Sequence, residues 1–351
     1  MTAAVQTRPF FIPSIAPGVA LTAACAALAG FAAHNAPALA NYQMILSIAL
    51  GALIGNLVTL PASAAAGVAF SLRYVLRFSI VLLGLQITWQ QAASVGVEGV
   101  AIIVVGVLAT FVVAIALGRL LRVSPGLSVL IGVGTAICGA SAVLAAKAAV
   151  RGDDEDAAYA VACVTLFGTI AIFLYPAIGG ALDLSARHYG LWSGASIHEV
   201  AQVIAAAFQR GPEALEIGTV AKLTRVAMMA PLIILLGEFG WRFGLAARGN
   251  GARPPFPWFL VGFLVMMGVA SILSLAPGDG TAFGALFSAA RGQLPAIKTA
   301  TTFLLSMAMV AMGLHTNMRH VLREGLAPLA LGLLVSLFIG AFSLSATLFL
   351  T

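Results

Sequence analysis

Four ionisable side chains stand inside otherwise apolar runs of this chain, and they are where its chemistry is to be sought. His198 and Glu199 occur in Ser193-Gly-Ala-Ser-Ile-His-Glu-Val-Ala-Gln202, and Lys222 and Arg225 occur in Val220-Ala-Lys-Leu-Thr-Arg-Val226. Charges held at hydrocarbon depth are costly, so they pair or line a polar cavity, and they mark binding sites or proton relays. His198 and Gln202, four apart, share a helix face, while Glu199 points about 100° away. An unperturbed imidazole titrates near neutrality, which suits His198 to solute binding or proton transfer. Lys222 and Arg225 share a face of the next apolar run. Two cations there need an anion; Glu199 neutralises one and leaves the other for an anionic solute.

A second stretch, Gly132-Val-Gly-Thr135-Ala-Ile-Cys138-Gly139-Ala-Ser141-Ala, combines three glycines with two hydroxyls and lacks bulky polar groups. A helix of that composition breaks easily. The break frees backbone N–H groups and exposes a half-helix N-terminus suited to an anion. Thr135, Cys138, Gly139, Ser141, Ser196, His198, Lys222 and Arg225 are therefore the candidate substrate-binding residues, with His198, Glu199 and Gln202 as candidates for coupling or gating. Close helix packing, as in Gly51-xxx-Gly55, is the competing use of small residues, and it also permits a homodimer. His198-Glu-Val-Ala-Gln202 nearly matches the H-E-x-x-H pattern of zinc proteases. Gln202 fills the second ligand position, and an amide is a poor zinc ligand. No metal, no cofactor and no enzymatic activity are expected.

The elements that position these residues follow from composition. Of 351 residues, 61% are hydrophobic and 9% charged, with a mean hydropathy of +1.05. Ordinary soluble domains carry roughly 25% charged residues. Apolar runs of spanning length, about 20 residues, follow one another along the chain. The 18 Lys and Arg that give a net charge of +6 are scattered between the runs, without a basic patch, so no nucleic-acid partner is expected. Cys25, Cys138 and Cys163 lie in apolar stretches with no CxxC pair, so neither disulfides nor a cysteine metal site is expected.

The reading is an all-α polytopic membrane protein with a tail over 1–13 and one transmembrane domain over 14–351. Its eleven spans fall near 14–33, 42–59, 74–91, 98–118, 125–148, 157–179, 189–208, 215–238, 257–276, 295–317 and 326–350. The first is read as an uncleaved helix, although Arg8, the apolar run and Ala36-Pro-Ala-Leu-Ala40 resemble a signal peptide. A cytoplasmic N-terminus puts most arginines, Arg119, Arg122 and Arg187 among them, on the cytoplasmic side. Lys147, Arg151, Arg210 and Arg291 then oppose the rule, the acidic run Asp153–Asp156 faces outward, and the C-terminus lies outside.

Two internal resemblances recur. Val81-Leu-Leu-Gly-Leu-Gln86 pairs with Val310-Ala-Met-Gly-Leu-His315, in spans 74–91 and 295–317. Gly139-Ala-Ser141 pairs with Gly194-Ala-Ser196, in interrupted-helix motifs near 132–147 and 193–208. Inverted repeats with broken helices at their meeting point are a signature of secondary transporters. Simple counting makes the fifth and seventh spans parallel, however, whereas inversion needs them antiparallel. A re-entrant segment would resolve the conflict.

Gly134-Thr-Ala-Ile-Cys-Gly-Ala-Ser-Ala142, Gly194-Ala-Ser-Ile-His-Glu-Val-Ala-Gln-Val203 and Lys222-Leu-Thr-Arg-Val226 together resemble the YeiH-like bacterial membrane proteins, a family named for sulfate export. The resemblance runs from about Pro17 to the C-terminus. It implies a distant relation to the bile-acid symporter and sodium/proton antiporter group, a core domain with interrupted helices beside a panel domain, and elevator-type access. It also implies a multi-pass protein of the bacterial inner membrane. The expected function is a secondary transporter exporting a small sulfate- or sulfite-like or organic anion, with proton coupling through His198 and Glu199. The paired mid-membrane acids of a sodium or proton antiporter are absent. An anion channel and an intramembrane zinc protease are the rival readings.

Overall fold

The computed structural model of the protein describes residues 12–147, 150, 153–240, 257–275, 282–315 and 326–351. Thr316 and Asn317, at the end of the span expected over 295–317, lie outside these residues. The described chain is helical throughout. In order it forms α1 (Ile12–Asn35), α2 (Gln43–Leu57), α3 (Ala62–Phe70), α4 (Leu76–Leu83), α5 (Trp89–Ala93), α6 (Gly96–Leu120), α7 (Pro125–Ala136), α8 (Ala140–Lys147) and α9 (Asp154–Ala181). There follow α10 (Ala186–Ser196), α11 (Val200–Phe208), α12 (Pro212–Ala227), α13 (Met229–Phe239), α14 (Trp258–Leu275), α15 (Ala282–His315) and α16 (Leu326–Leu350). Eight helical runs among the described residues are long and apolar enough to cross a membrane. Only helices satisfy their own backbone in lipid, so a polytopic helical membrane protein is the outcome that composition dictates.

Two compact units divide the chain. The first holds residues up to Ser79 together with Thr302–His315. It packs backbone on backbone through small residues: a Cβ at Gly18 would lie 2.1 Å from Ala64 O, and one at Gly51 would lie 2.2 Å from Val310 O. The face Gly51–Gly55, read from sequence as open to a second copy, is thus occupied inside this unit by Val310 and Leu314.

The second unit holds Ile80–Thr301 and the C-terminal segment. Here α6 and α9 end the same way. Arg122 (φ 58°) and Asp183 (φ 48°) take the left-handed conformation, and the amides of Val123 and Leu184 return to Gly118 O and Gly179 O. Each turn leads two residues later to a serine N-cap. Ser124 accepts from the Leu127 amide and Ser185 from the His188 amide, starting α7 and α10. Both short helices stop after about three turns, at Ile137–Gly139 and Ile197–Glu199.

These stops reverse the chain, which corrects the expectation that residues 125–148 and 189–208 are spans. A Cβ on Gly134 would meet Val143 at 2.7 Å, so α8 runs back along α7. At the other end of that hairpin, Lys147 of α8 pairs with Asp154 of α9, and Ser124 bonds the Asp156 carboxylate. Likewise Gly190 and Ala207 both lie against Gly218, the Tyr189 hydroxyl donates to Ala206 O at 3.2 Å, and Arg210 donates to Leu184 O at 2.9 Å. The second hairpin, α10–α11, therefore starts and ends beside the C-terminus of α9, while α7–α8 starts and ends beside its N-terminus. Hydropathy cannot separate such a pair from one interrupted span, because both read as about 20 apolar residues.

Candidate functional site

The two hairpins enter from opposite ends of α9, and their tips meet halfway along it, at Thr165 and Gly168. The first tip needs Gly139: its φ is 68°, and a Cβ there would lie 2.5 Å from Glu199 Cγ of the second tip. Glu199 also accepts from Thr165 Oγ1 of α9 at 2.9 Å. Gln202 spends both ends of its amide on this arrangement. Its Oε1 accepts from the Glu199 amide at 3.0 Å and its Nε2 donates to Thr165 O at 3.2 Å, in a space that exists because residue 168 is glycine.

Lys222 and Arg225 of α12 are fully buried between the tips. Lys222 Nζ donates to Ile137 O at 2.6 Å, to Ile197 O at 2.8 Å and to His198 O. That uses all three donors of the ammonium. Arg225 donates from Nε to Ala136 O at 2.9 Å, from one terminal nitrogen to Gly194 O at 3.3 Å and Ile197 O at 2.8 Å, and from the other to Thr135 O at 2.5 Å. Every acceptor is a carbonyl at the C-terminal end of α7 or α10, where a helix has orphan acceptors and a partial negative charge. The cations thus clasp both hairpins at once. Carbonyls, which sequence does not reveal as partners, take the hydrogen bonds of both cations directly.

The remaining candidates distribute around this clasp. Cys138 Sγ and Ser141 Oγ are 2.9 Å apart at the start of α8; the thiol is buried and the serine exposed. Ser196 is the last residue of α10, its hydroxyl donating to Trp192 O at 2.5 Å, so it borders the C-terminal end of a half-helix and not an N-terminal one. His198 is buried in the second tip, with Nε2 3.0 Å from Ser336 Oγ of α16. Thr135 is buried, and its Oγ1 has no hydrogen-bond partner among the described residues. Thr165, Gly168 and Ser336 complete the site and were not singled out as site residues by sequence. A hydroxyl or glycine in an apolar run carries no signal until its neighbour is known. The repeated serine N-caps, Ser124 and Ser185, were the signal available for hairpin starts.

Paired hairpins meeting over buried cations, with eight membrane-length helical runs among the described residues, define a polytopic helical membrane protein with an internal polar centre. The family model described as conserved hypothetical protein 698 matches residues 17–332. The chain is 38% identical over 347 residues to a UPF0324 membrane protein of Pseudomonas aeruginosa, covering 94% of this chain and 93% of that one. It is 38% identical over 300 residues to a UPF0324 membrane protein of Bordetella bronchiseptica, covering 83% and 88% of the two chains. With the UPF0324 inner membrane protein YeiH of Escherichia coli it shares 35% identity over 327 residues, 91% and 89% of the two. The chain belongs to this UPF0324, YeiH-like family. No solved structure matches it.

Proposed function

We propose that this protein is a secondary transporter that moves a small anion by alternating access, with the solute held where the two hairpin tips meet. The clasp of buried Lys222 and Arg225 on both tips is the observation that carries this reading. A charge count gives its sign. Two cations face the ends of α7 and α10, worth about −0.5 each; the starts of α8 and α11 contribute about +0.5 each; and Glu199 contributes one negative charge, leaving a net of about +1. A centre of that sign in a low-dielectric surround selects anions over cations. The amides at the start of α8 and the exposed Ser141 hydroxyl are the groups that would touch the anion.

The α6–α7–α8 and α9–α10–α11 segments share one plan: a long helix, a left-handed residue, a serine cap and a hairpin. Entering from opposite ends of α9, they form an inverted repeat, the arrangement on which alternating access relies. The conflict that counting raised disappears, since re-entry makes α7 and α10 antiparallel. On this reading a cytoplasmic N-terminus puts Lys147 and the acidic run Asp153–Asp156 inside with Arg122, and Arg187 and Arg210 outside. Sulfate, sulfite and small organic anions are the substrate class, and the inner membrane is the location, as for the Escherichia coli relative.

Purified protein in liposomes tests the reading. Labelled sulfate or sulfite uptake should saturate and should be stimulated by the same unlabelled anion on the far side. Flux that rises linearly without exchange stimulation would assign a channel instead.

A further inference from the structure

The hydrogen bonds around His198 fix its tautomer. Ser336 Oγ lies 3.0 Å from His198 Nε2 and 2.6 Å from Gly332 O. The hydroxyl has one proton and the carbonyl none, so Ser336 donates to Gly332 and accepts from the ring. Nε2 therefore carries a hydrogen. Nδ1 is left as a buried nitrogen with no hydrogen-bond partner among the described residues. A buried polar atom without a partner calls for a function, since the great majority of such atoms are satisfied.

We propose that His198 Nδ1 is the atom that binds the transported proton, and that it does so only when an anion occupies the hairpin tips, so that proton and anion cross together. This rests on the transporter reading above. The step is a simple association. A proton from water on one side joins the Nδ1 lone pair, the ring becomes imidazolium while Nε2–H stays on Ser336, and the anion supplies the matching negative charge. On the other side both depart to water, and no other bond is made or broken. The charged groups acting on the ring are Lys222 and Arg225 of α12. Other titratable side chains at the crossing are Glu199 beside it, Cys138 of the first tip and Tyr175 of α9. With two cations at the ring, a third positive charge is unfavourable until an anion arrives. Glu199 is engaged by Thr165 and buttressed by Gly139, which gives it a fixed place in the clasp.

The test combines two measurements on the full-length protein. Nitrogen-15 spectra of its histidines in lipid nanodiscs, with His198→Gln to assign the signal, should show Nε2–H and a bare Nδ1 without anion. Adding sulfate at fixed pH should convert that ring to imidazolium, raising its proton affinity about tenfold, within the usual range for coupled sites. In liposomes, an inward acid gradient should accelerate labelled sulfate uptake about tenfold in the wild type, and the ratio with and without gradient should fall to about one in His198→Gln. Ser336→Ala frees the ring and should give a mixture of tautomers with a several-fold weaker gradient response, a result that stands even if His198→Gln does not fold. A ring found as Nδ1–H, or sulfate uptake that ignores the gradient in the wild type, overturns the proton proposal and leaves anion transport intact. Failure of sulfate either to move or to alter the spectrum overturns both.

Discussion

The hairpins α7–α8 and α10–α11 share a scaffold and differ in chemistry. Each begins at a serine N-cap after a left-handed residue, runs for about three turns, reverses over three residues and returns to its starting side. The first tip, Ile137-Cys138-Gly139, has no group charged at neutral pH. The second, Ile197-His198-Glu199, carries two ionisable side chains. Duplicated architecture supplies a symmetric pair of helix ends, and α12 sets one lysine and one arginine against both. What is left over is a histidine and a carboxylate on one side only. In the first unit of the molecule the close contacts at Gly18, Gly51 and Gly67 are with backbone, and the buried polar side chains among the described residues are hydroxyls without charge.

The clasp is where the comparison breaks most easily. Arg225→Met leaves carbonyls of both tips without donors, and removing one member of a buried charge system costs about 3–5 kcal/mol. Thermal denaturation of the purified protein should register that loss, and sulfate flux should vanish. Arg225→Lys keeps the charge but not the fork, and should recover only part of the stability. Next in size is Gly139→Ala, which places a Cβ in a left-handed residue and against Glu199, at a cost of about 1–3 kcal/mol. Gly292→Ala, with nothing within 4 Å of the new methyl, should leave both stability and flux unchanged.

Glu199→Gln sharpens the asymmetry of the tips. It keeps an acceptor for Thr165 while raising the net charge of the centre from about +1 to about +2. Anion affinity, read by calorimetry or thermal shift with sulfate, should increase about tenfold, or 1.4 kcal/mol, while turnover slows because release becomes harder. Ser141→Ala removes one charge-assisted hydrogen bond to the anion and should weaken affinity at least about tenfold, close to 1.5 kcal/mol. The smallest effect is expected from the caps. Ser185→Ala should lower stability by about 1 kcal/mol by freeing one amide at a hairpin start, and Ser124→Ala by somewhat more, since it also loses the bond to Asp156.

How far these features could be read in advance depended on the kind of signal. The membrane class followed from composition, because nothing but lipid accommodates so many apolar runs. Ionisable residues in such runs are rare enough that Lys222, Arg225, His198 and Glu199 stood out, and they do converge. The Gly- and Ser-rich stretches also located the places where the chain breaks. Reversal was hidden, since a kink and a hairpin have the same hydropathy, and so 125–148 and 189–208 read as spans where the chain turns back on itself. Ser196 sits at a helix C-terminus for the same reason. The partners of the cations were hidden as well. Carbonyls carry no residue identity, so sequence alone could not show that helix ends take the hydrogen bonds of both cations.

The central claim is that the meeting hairpin tips, clasped by Lys222 and Arg225, form a centre that carries an anion across. Exchange of labelled sulfate by the purified protein in liposomes tests it most directly. Saturable uptake that quickens when unlabelled sulfate is present inside, and that falls away in a well-folded Ser141→Ala protein at low sulfate, is the result this account requires. Uptake indifferent to internal sulfate and to that substitution would contradict it.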